Sequence, residues 1–293
     1  AVCSTFVAGR DHELVELAPG TLHLPHATTL RMGRLGYLSD AQDSLSVRCN
    51  DLASYTASLQ DALTRSYPAY ERIGIRDGDE YRQLATTLLQ IENEFYSTIR
   101  PKRVIRPSER PLHALRSRGV QYVEVRAMDL DPFLAVGISP QTMRFLDVFL
   151  LHCLLAESPP DSAAEIAENG RNKRLVAAQG REPGLRLERR GVSIDLREWA
   201  AEIVGQCAPV ADALDAACGG DAYRGALAAA ARALEAPETL PSARVLAAMR
   251  EQHAGSHLRF VLAQSAAHRD ALVGAPLDAE TAAAYARAAA ESV

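Results

Sequence analysis

The spacing of hydrophobic residues changes along this chain, near residue 138. Before that point, short stretches with strand-like alternation are broken by prolines and charged turns, at 21–31, 84–100 and 120–128. Alternation is typical of strands, because successive side chains of a strand face opposite sides. After that point, apolar residues recur every three or four positions between glycine and proline breaks, as in helices.

The helices can be placed by their start signals. Ser139 followed by Pro140 is typical of a helix start, since a hydroxyl caps the first turn and proline fits its first position. We predict one earlier helix at 51–66, one that starts at Ser139, and further helices at 161–179, 195–217, 221–234, 242–273 and 278–292. We therefore expect an α+β fold. Residues 1–138 would supply an antiparallel sheet, and residues 139–293 a helical part that packs on it.

Composition excludes several classes of protein. Of the 293 residues, 47% are hydrophobic, which suffices for a proper core. The net charge is -5 with scattered basic residues, so we expect no nucleic-acid partner. No apolar run reaches the roughly 20 residues that span a bilayer, so we expect no membrane partner. Five cysteines without a CxxC pair favour a reducing, cytoplasmic location. The first residue is not methionine, and we expect the chain to be a fragment.

The first candidate for chemistry is the strand-like segment 120–126. Glu124 and Arg126 are two positions apart, so in a strand both side chains leave on one face. A carboxylate supplies an oxygen ligand for a divalent metal, and a guanidinium matches the oxygens of a phosphate. The face could thus hold a magnesium nucleotide. A surface salt bridge on a half-exposed strand remains the alternative interpretation.

A second candidate lies at 88–103. If this stretch is a strand, its even positions from Gln90 to Arg100 share a polar face, with acids first and bases after. Lys102 and Arg103 extend the basic end. With this order, the acidic end of the face could bind a metal ion and the basic end a phosphate. A solvated sheet face followed by a basic turn is the alternative.

A third candidate combines Arg31 and Tyr37, which can bind a small carboxylate through a guanidinium fork and a phenol. His23 and His26 lie three positions apart, so their rings would face opposite sides of an extended segment, which argues against a metal pair. No glycine-rich phosphate loop of the GxxxxGK[ST] type occurs, and no GxGxxG follows a strand. If ATP binds, another architecture binds it.

The ordered combination of these segments resembles the bacterial glutamate–cysteine ligase family, also called gamma-glutamylcysteine synthetase. The similarity runs over about residues 1–250, and the segments that carry it are Leu24–Arg31, Leu35–Tyr37, Asn50–Leu52, Tyr70–Ile75, Gln90–Tyr96, Ile99–Arg103, Tyr122–Arg126, Asp131–Phe133, Arg144–Asp147, Gly180–Arg181, Pro183–Leu185, Gly219–Gly220 and Ser242–Arg244. The resemblance implies a glutamine-synthetase-like ligase architecture. It also implies that ATP phosphorylates the side-chain carboxylate of glutamate and that the amine of cysteine attacks the acyl phosphate.

The resemblance further implies roles for individual residues. Glu124 would bind Mg²⁺ or Mn²⁺, and Arg126 would hold the phosphorylated glutamate as a catalytic residue. Arg31 and Tyr37 match the cysteine side of the substrate site, and Tyr96 matches another pocket residue with a catalytic role. Contacts to ATP phosphates would come from basic residues of one segment, Arg100, Lys102 and Arg103.

The chain also departs from the family pattern. It corresponds to the C-terminal 55 to 60% of such an enzyme, and the N-terminal half supplies most metal carboxylates in the family. One carboxylate, Glu124, cannot fill the shell of a magnesium ion, which takes about six oxygens. This gap leaves room for a separate N-terminal half as a partner. Two alternatives stay open: a related carboxylate–amine ligase with another amine acceptor, to which His26 in place of an expected phenol gives room, and an incomplete, non-catalytic fragment.

Overall fold

The computed structural model describes residues 1–36, 40–42, 45 and 47–292. Strands and helices both occur there, and the expected α+β class is confirmed. The strands are β1 Val2–Cys3, β2 Val15–Ala18, β3 Thr21–His23, β4 Arg76–Asp77, β5 Glu80–Tyr81, β6 Ile99–Lys102, β7 Tyr122–Val125, β8 Arg186–Arg189 and β9 Val192–Asp195. The helices are α1 Leu52–Thr64, α2 Pro68–Ile73, α3 Pro111–Arg118, α4 Pro140–Leu155, α5 Ala163–Gln179, α6 Leu196–Gln206, α7 Ala208–Cys218, α8 Ala222–Glu235, α9 Pro241–Gln252, α10 His257–Val273 and α11 Ala279–Glu291.

The strands form several small antiparallel sheets. In the first half, β1, β3 and β2 make one three-stranded sheet in that order, while β4 pairs with β5 and β6 pairs with β7. The last pair, β8 and β9, lies in the second half, where we had expected helices alone. Its turn is Arg190–Gly191, and both residues have positive φ, of 51° and 76°. Such a turn matches the twist of the strands that it joins.

The long strand predicted at 84–100 is wrong. Only Ile99 and Arg100 of that stretch lie in a strand, and Glu92–Glu94 form a 3-10 turn. Side chains take the place of a neighbouring strand: the amide oxygen of Gln90 accepts hydrogen bonds from the N–H groups of Leu84 and Ala85. Main-chain groups satisfied in this way have no need of a sheet partner. The alternating polar face that we predicted from Gln90 to Arg100 therefore does not exist.

Most helices start where their capping residues predict. The Asp51 carboxylate accepts a hydrogen bond from Ser54 N at 2.7 Å, and the Ser139 hydroxyl accepts one from Thr142 N at 3.0 Å. Two predicted helices are each divided. Residues 195–217 form α6 and α7 with Pro209 beside the junction, and residues 242–273 form α9 and α10. At that second break Gly255 has φ +74°, and a Cβ there would lie 2.8 Å from Ala18 Cβ.

The interior consists of separate apolar clusters. One joins α1 and α3 to the 88–95 segment around Leu59, Leu89 and Phe95. Another joins α4, α7 and α8 around Val148. In a third, Phe260 of α10 packs against Phe133, so the helical half contacts the first half. Among the residues that the structure describes, no helix is long and apolar enough to cross a bilayer.

Candidate active site

The strand pair β6–β7 carries the basic and acidic residues predicted for the site. Its register sets Arg100 opposite Glu124 and Lys102 opposite Tyr122. Directly opposed residues of two strands project from the same face, so these four side chains share one side. The pairing continues past the strand, because Arg126 N donates to Thr98 O at 2.7 Å.

Glu124 lies between two cations. Its Oε2 atom is 3.4 Å from Lys102 Nζ and 3.7 Å from Arg126 Nη1. The three side chains are only partly exposed, at 38% for Glu124, 26% for Lys102 and 25% for Arg126. Oε2 itself is buried and accepts no hydrogen bond from the described residues. One carboxylate thus faces two cations at distances longer than a close ion pair, and the net charge of this cluster is positive. We call these three residues the β6–β7 charge cluster.

Arg31 reaches the same place from a distant part of the chain. Its Nε atom donates to Arg126 O at 2.6 Å, and its main-chain N–H donates to the Asp129 carboxylate at 2.9 Å. Arg31 therefore lies at the end of β7, next to the charge cluster. Asp129 was not among the predicted residues. Nothing in its local pattern links it to Arg31, which is 98 positions away.

The segment before β6 is held beside the strand pair by the Gln42 side chain. Gln42 Nε2 donates to Glu94 O at 2.7 Å, and Gln42 Oε1 accepts from Tyr96 N at 2.9 Å. Tyr96 is 39% exposed. Arg100 is 4% exposed, with Nη2 donating to Asn93 O at 3.2 Å and its guanidinium 5.9 Å from the Phe95 ring. The predicted basic residues therefore differ in access, since Arg100 is buried while Lys102 is partly open.

Arg103 is directed toward the end of α3, where its Nη1 atom donates to Arg118 O at 2.7 Å. Arg118 in turn forms a two-pronged pair with Glu109, at 2.5 and 2.7 Å. Those hydrogen bonds lower the pKa of Glu109 to about 2. The remaining predicted residue, Tyr37, lies outside the described residues.

The described residues do not by themselves form a metal site. No group of three or more histidine, cysteine, aspartate or glutamate residues within the described ranges is arranged to hold an ion. The acids predicted as the metal end of a strand face instead cap main-chain groups. Glu92 Oε2 accepts from Leu112 N at 3.2 Å, and Glu94 Oε2 accepts from Gln90 N at 2.7 Å. Of these three glutamates, Glu124 has a buried oxygen that accepts no hydrogen bond from the described residues, whereas a magnesium ion takes about six oxygens.

Comparison with known proteins decides the family. A family model described as glutamate-cysteine ligase matches residues 1–176, which is more than half of the chain. The chain belongs to the glutamate–cysteine ligase family. This confirms the resemblance inferred from the sequence. The matched residues include Arg31 and the whole β6–β7 charge cluster.

Curated relatives and a solved structure agree with this assignment. Glutamate–cysteine ligase of Bordetella parapertussis is 48% identical over 295 residues, 100% of this chain and 56% of that protein. The Azotobacter vinelandii ligase is 49% identical over 96% of this chain and 53% of its own length. The crystal structure of the Francisella tularensis ligase in complex with AMP has a TM-score of 0.91 at 32% identity, over 99% of this chain and 57% of that one. The chain thus spans just over half the length of these ligases.

Proposed function

We propose that this chain forms part of an ATP-dependent glutamate–cysteine ligase, which joins the side-chain carboxylate of glutamate to the amine of cysteine through an acyl phosphate. The observation that carries the proposal is the β6–β7 charge cluster, in which Glu124 lies 3.4 Å from Lys102 and 3.7 Å from Arg126. Membership of the ligase family and the AMP complex of the Francisella tularensis relative support it.

The charge cluster suits an anionic group. The phosphoryl group that moves from ATP carries negative charge, and its transfer is favoured mainly by positioning and by charge neutralisation. Arg126 would hold the phosphorylated glutamate, because a planar guanidinium can bind two phosphate oxygens together.

Lys102 is the basic residue of β6 best suited to contact an ATP phosphate. Its side chain is 26% exposed and is 3.4 Å from Glu124. Arg103 and Arg100 were predicted for the same role. Arg103 keeps part of its guanidinium at the end of α3, and Arg100 is buried, so we assign the nucleotide phosphates first to Lys102.

Arg31 and Tyr37 would bind the cysteine substrate, and Tyr96 would line another part of the pocket as a catalytic residue. The Arg31 bond to Arg126 O supports this arrangement, because it brings the Arg31 guanidinium to the main chain of Arg126. The amine of one substrate must approach the acyl phosphate of the other, and residues that lie this close could bind the two substrates next to each other.

Glu124 would contribute one ligand to a Mg²⁺ or Mn²⁺ ion, and other residues must complete the coordination shell of that ion. The described residues do not fit such an ion alone. We therefore assign no step to the metal through this chain's residues. The further ligands would come from the part of the ligase that this chain does not span, as in a separate N-terminal half.

Release of ADP tests the proposal. The purified chain would be mixed with glutamate, cysteine and Mg-ATP, with and without the part of the Bordetella parapertussis ligase that it does not span. We expect ADP release that needs both amino acids, and we expect other small amines to replace cysteine poorly. ADP release with another amine but not with cysteine would favour the related carboxylate–amine ligase. No glutamate-dependent release in either mixture would contradict the proposal.

A further inference from the structure

Arg31 is carried by a segment without helix or strand, residues 25–31, which we call the arm. The end of α5 holds this arm from a position far along the chain. Arg181 Nη2 donates to Pro25 O at 2.6 Å, and Arg181 Nε donates to Ala27 O at 3.1 Å. The main-chain N–H of Arg181 also donates to His26 O at 3.0 Å. One residue thus binds three successive carbonyls of the arm.

Thr28 adds a second set of contacts to α5. Its hydroxyl donates to Val176 O at 2.6 Å, and its N–H donates to Ala177 O at 3.0 Å. The last carbonyls of a helix lack partners inside the helix, so the Thr28 N–H supplies a hydrogen bond that the Ala177 carbonyl needs, while Val176 O also accepts from Gly180 N. The arm and the end of α5 also lie very close together at Gly180. A Cβ on Gly180 would lie 2.6 Å from Thr28 Cγ2 and 2.5 Å from Val176 O.

The charge of Arg181 indicates a geometric role. Its side-chain bonds go to main-chain carbonyls, and no carboxylate of the described ranges forms an ion pair with it. Burial lowers the pKa of Arg181, and the charge of Arg250 lowers it further. The surroundings therefore penalise a positive charge, except for the carbonyls and the negative end of the α5 dipole. A guanidinium fits here because it donates in two fixed directions, which the single ammonium of lysine does not.

We infer that Arg181 is a positioning residue for Arg31. Arg181 and Thr28 fix the arm on the α5 side, and Arg126 O and Asp129 hold Arg31 on the β7 side. The helical half thereby sets where the Arg31 guanidinium meets a substrate. This inference rests on the proposed function insofar as Arg31 binds the cysteine substrate.

Hydrogen–deuterium exchange of the chain tests the positioning without any need for activity. Arg181→Lys and Arg181→Met should speed exchange of the arm amides about tenfold, the effect of losing roughly one net hydrogen bond. Exchange at β6–β7 should stay as in the wild type. Arg171→Met is the matched control, because the Arg171 guanidinium pairs with Glu188 on the exposed side of α5. Unchanged arm exchange in both Arg181 variants would overturn the inference.

Kinetics separate positioning from general stability. In the assembled ligase, Arg181→Lys should raise KM for cysteine about tenfold while kcat stays within about twofold, because one hydrogen bond that orients the arm is lost. Thr28→Val should act in the same direction, and Thr28→Ser, which keeps the hydroxyl, should restore the wild-type KM. A fall in kcat with unchanged KM would overturn the inference. If the wild type itself releases no ADP, the proposed function fails, and the exchange experiment still decides the role of Arg181.

Discussion

Two antiparallel strand pairs in this molecule, β6–β7 and β8–β9, carry many charges, and the two pairs differ in how those charges are partnered. On and around β8–β9, each of three arginines has its own glutamate, in the pairs Arg171–Glu188 at 2.5 Å, Arg189–Glu202 at 2.7 Å and Arg190–Glu165 at 3.1 Å. On β6–β7, Lys102 and Arg126 share Glu124 at 3.4 and 3.7 Å.

The two strand pairs differ in how closely each cation approaches a carboxylate. An arginine with a close, two-pronged carboxylate has most of its donors engaged. On β6–β7 the contacts of Lys102 and Arg126 with Glu124 are longer, at 3.4 and 3.7 Å, so neither cation forms a close pair with that carboxylate. The pairs around β8–β9 are largely exposed, where such pairs contribute little to stability. We therefore interpret β8–β9 as a solvated charged surface, and our proposal places an anion site on β6–β7. The first three comparisons below pair a residue of β6–β7 with a counterpart on or beside β8–β9, and the fourth tests an ion pair of β8–β9 itself.

The largest effect is expected for Glu124→Gln. Turnover of the assembled ligase should fall by about 100-fold or more, because the variant removes the carboxylate that orients Lys102 and Arg126 and is proposed to bind the metal. The thermal midpoint should hardly change, since Glu124 is 38% exposed and its ion pairs are long. ADP release and a melting curve measure the two quantities. Glu188→Gln should leave turnover unaltered. Equal losses of turnover in the two variants would contradict the distinction between β6–β7 and β8–β9.

A smaller effect is expected for Arg126→Lys. The catalytic efficiency, kcat/KM for glutamate, should fall about 10- to 100-fold, because an ammonium cannot bind two phosphate oxygens as a guanidinium does. Steady-state kinetics with varied glutamate measure it. Arg189→Lys alters a paired arginine of β8–β9, and its kcat/KM for glutamate should stay within about twofold of wild type. Wild-type efficiency in Arg126→Lys would place Arg126 outside the phosphate site.

Lys102→Met should weaken the binding of ATP more than it weakens the binding of either amino acid. We expect KM for ATP to rise about tenfold, since one partly buried charge contact to a phosphate is lost. Arg190→Met serves as its control, because Arg190 is 69% exposed and pairs with Glu165. A rise in KM for glutamate without a rise for ATP would reassign Lys102 to the other substrate.

The smallest effect concerns the titration of Glu188. Hydrogen bonds from the Arg171 guanidinium hold the pKa of Glu188 below its usual range. A carboxyl whose pKa is lowered by folding stabilises the fold above its unfolded pKa, and this contribution is lost as the pH falls through the folded value. Carboxyl carbon shifts in an NMR titration should show the low pKa, and Arg171→Met should return it to the usual range. The same pKa in both proteins would mean that the ion pair does not form in solution.

The parts of the fold that were predictable depend on local signals. Helix starts at Asp51 and Ser139 follow from side chains that bond to the next turn of the same chain. The face shared by Glu124 and Arg126 follows from the period of a strand. The breaks near Pro209 and at Gly255 have local signals too, since proline and glycine interrupt helices, yet the alanine-rich periodicity outweighed them in our prediction.

Other parts depend on side-chain contacts, some local and some between distant positions, that the alternation of polar and apolar residues does not show. The strand predicted at 84–100 failed because Gln90 and Glu94 bond to nearby main-chain groups, and only the three-dimensional arrangement reveals those bonds. Thr28 meets Val176 across 148 positions, and Arg31 meets Arg126 across 95. No periodicity encodes such distances. The sequence therefore indicated the residue types of the site, and the structure adds what holds them in place.

The central claim is that β6–β7 binds an anionic substrate and that β8–β9 does not. Binding of ATP tests it most directly, because the measurement compares the two strand pairs without requiring catalysis. Isothermal titration would use the assembled ligase, the double variant Lys102→Met/Arg126→Met and the matched double variant Arg189→Met/Arg190→Met. The first double variant removes the proposed Lys102 contact to an ATP phosphate and the proposed Arg126 contact to the phosphoryl group that ATP transfers. We predict that it raises the Kd for Mg-ATP by about 100-fold and that the second double variant leaves it within about twofold. The same Kd in all three proteins, or equal weakening in both variants, would contradict the account.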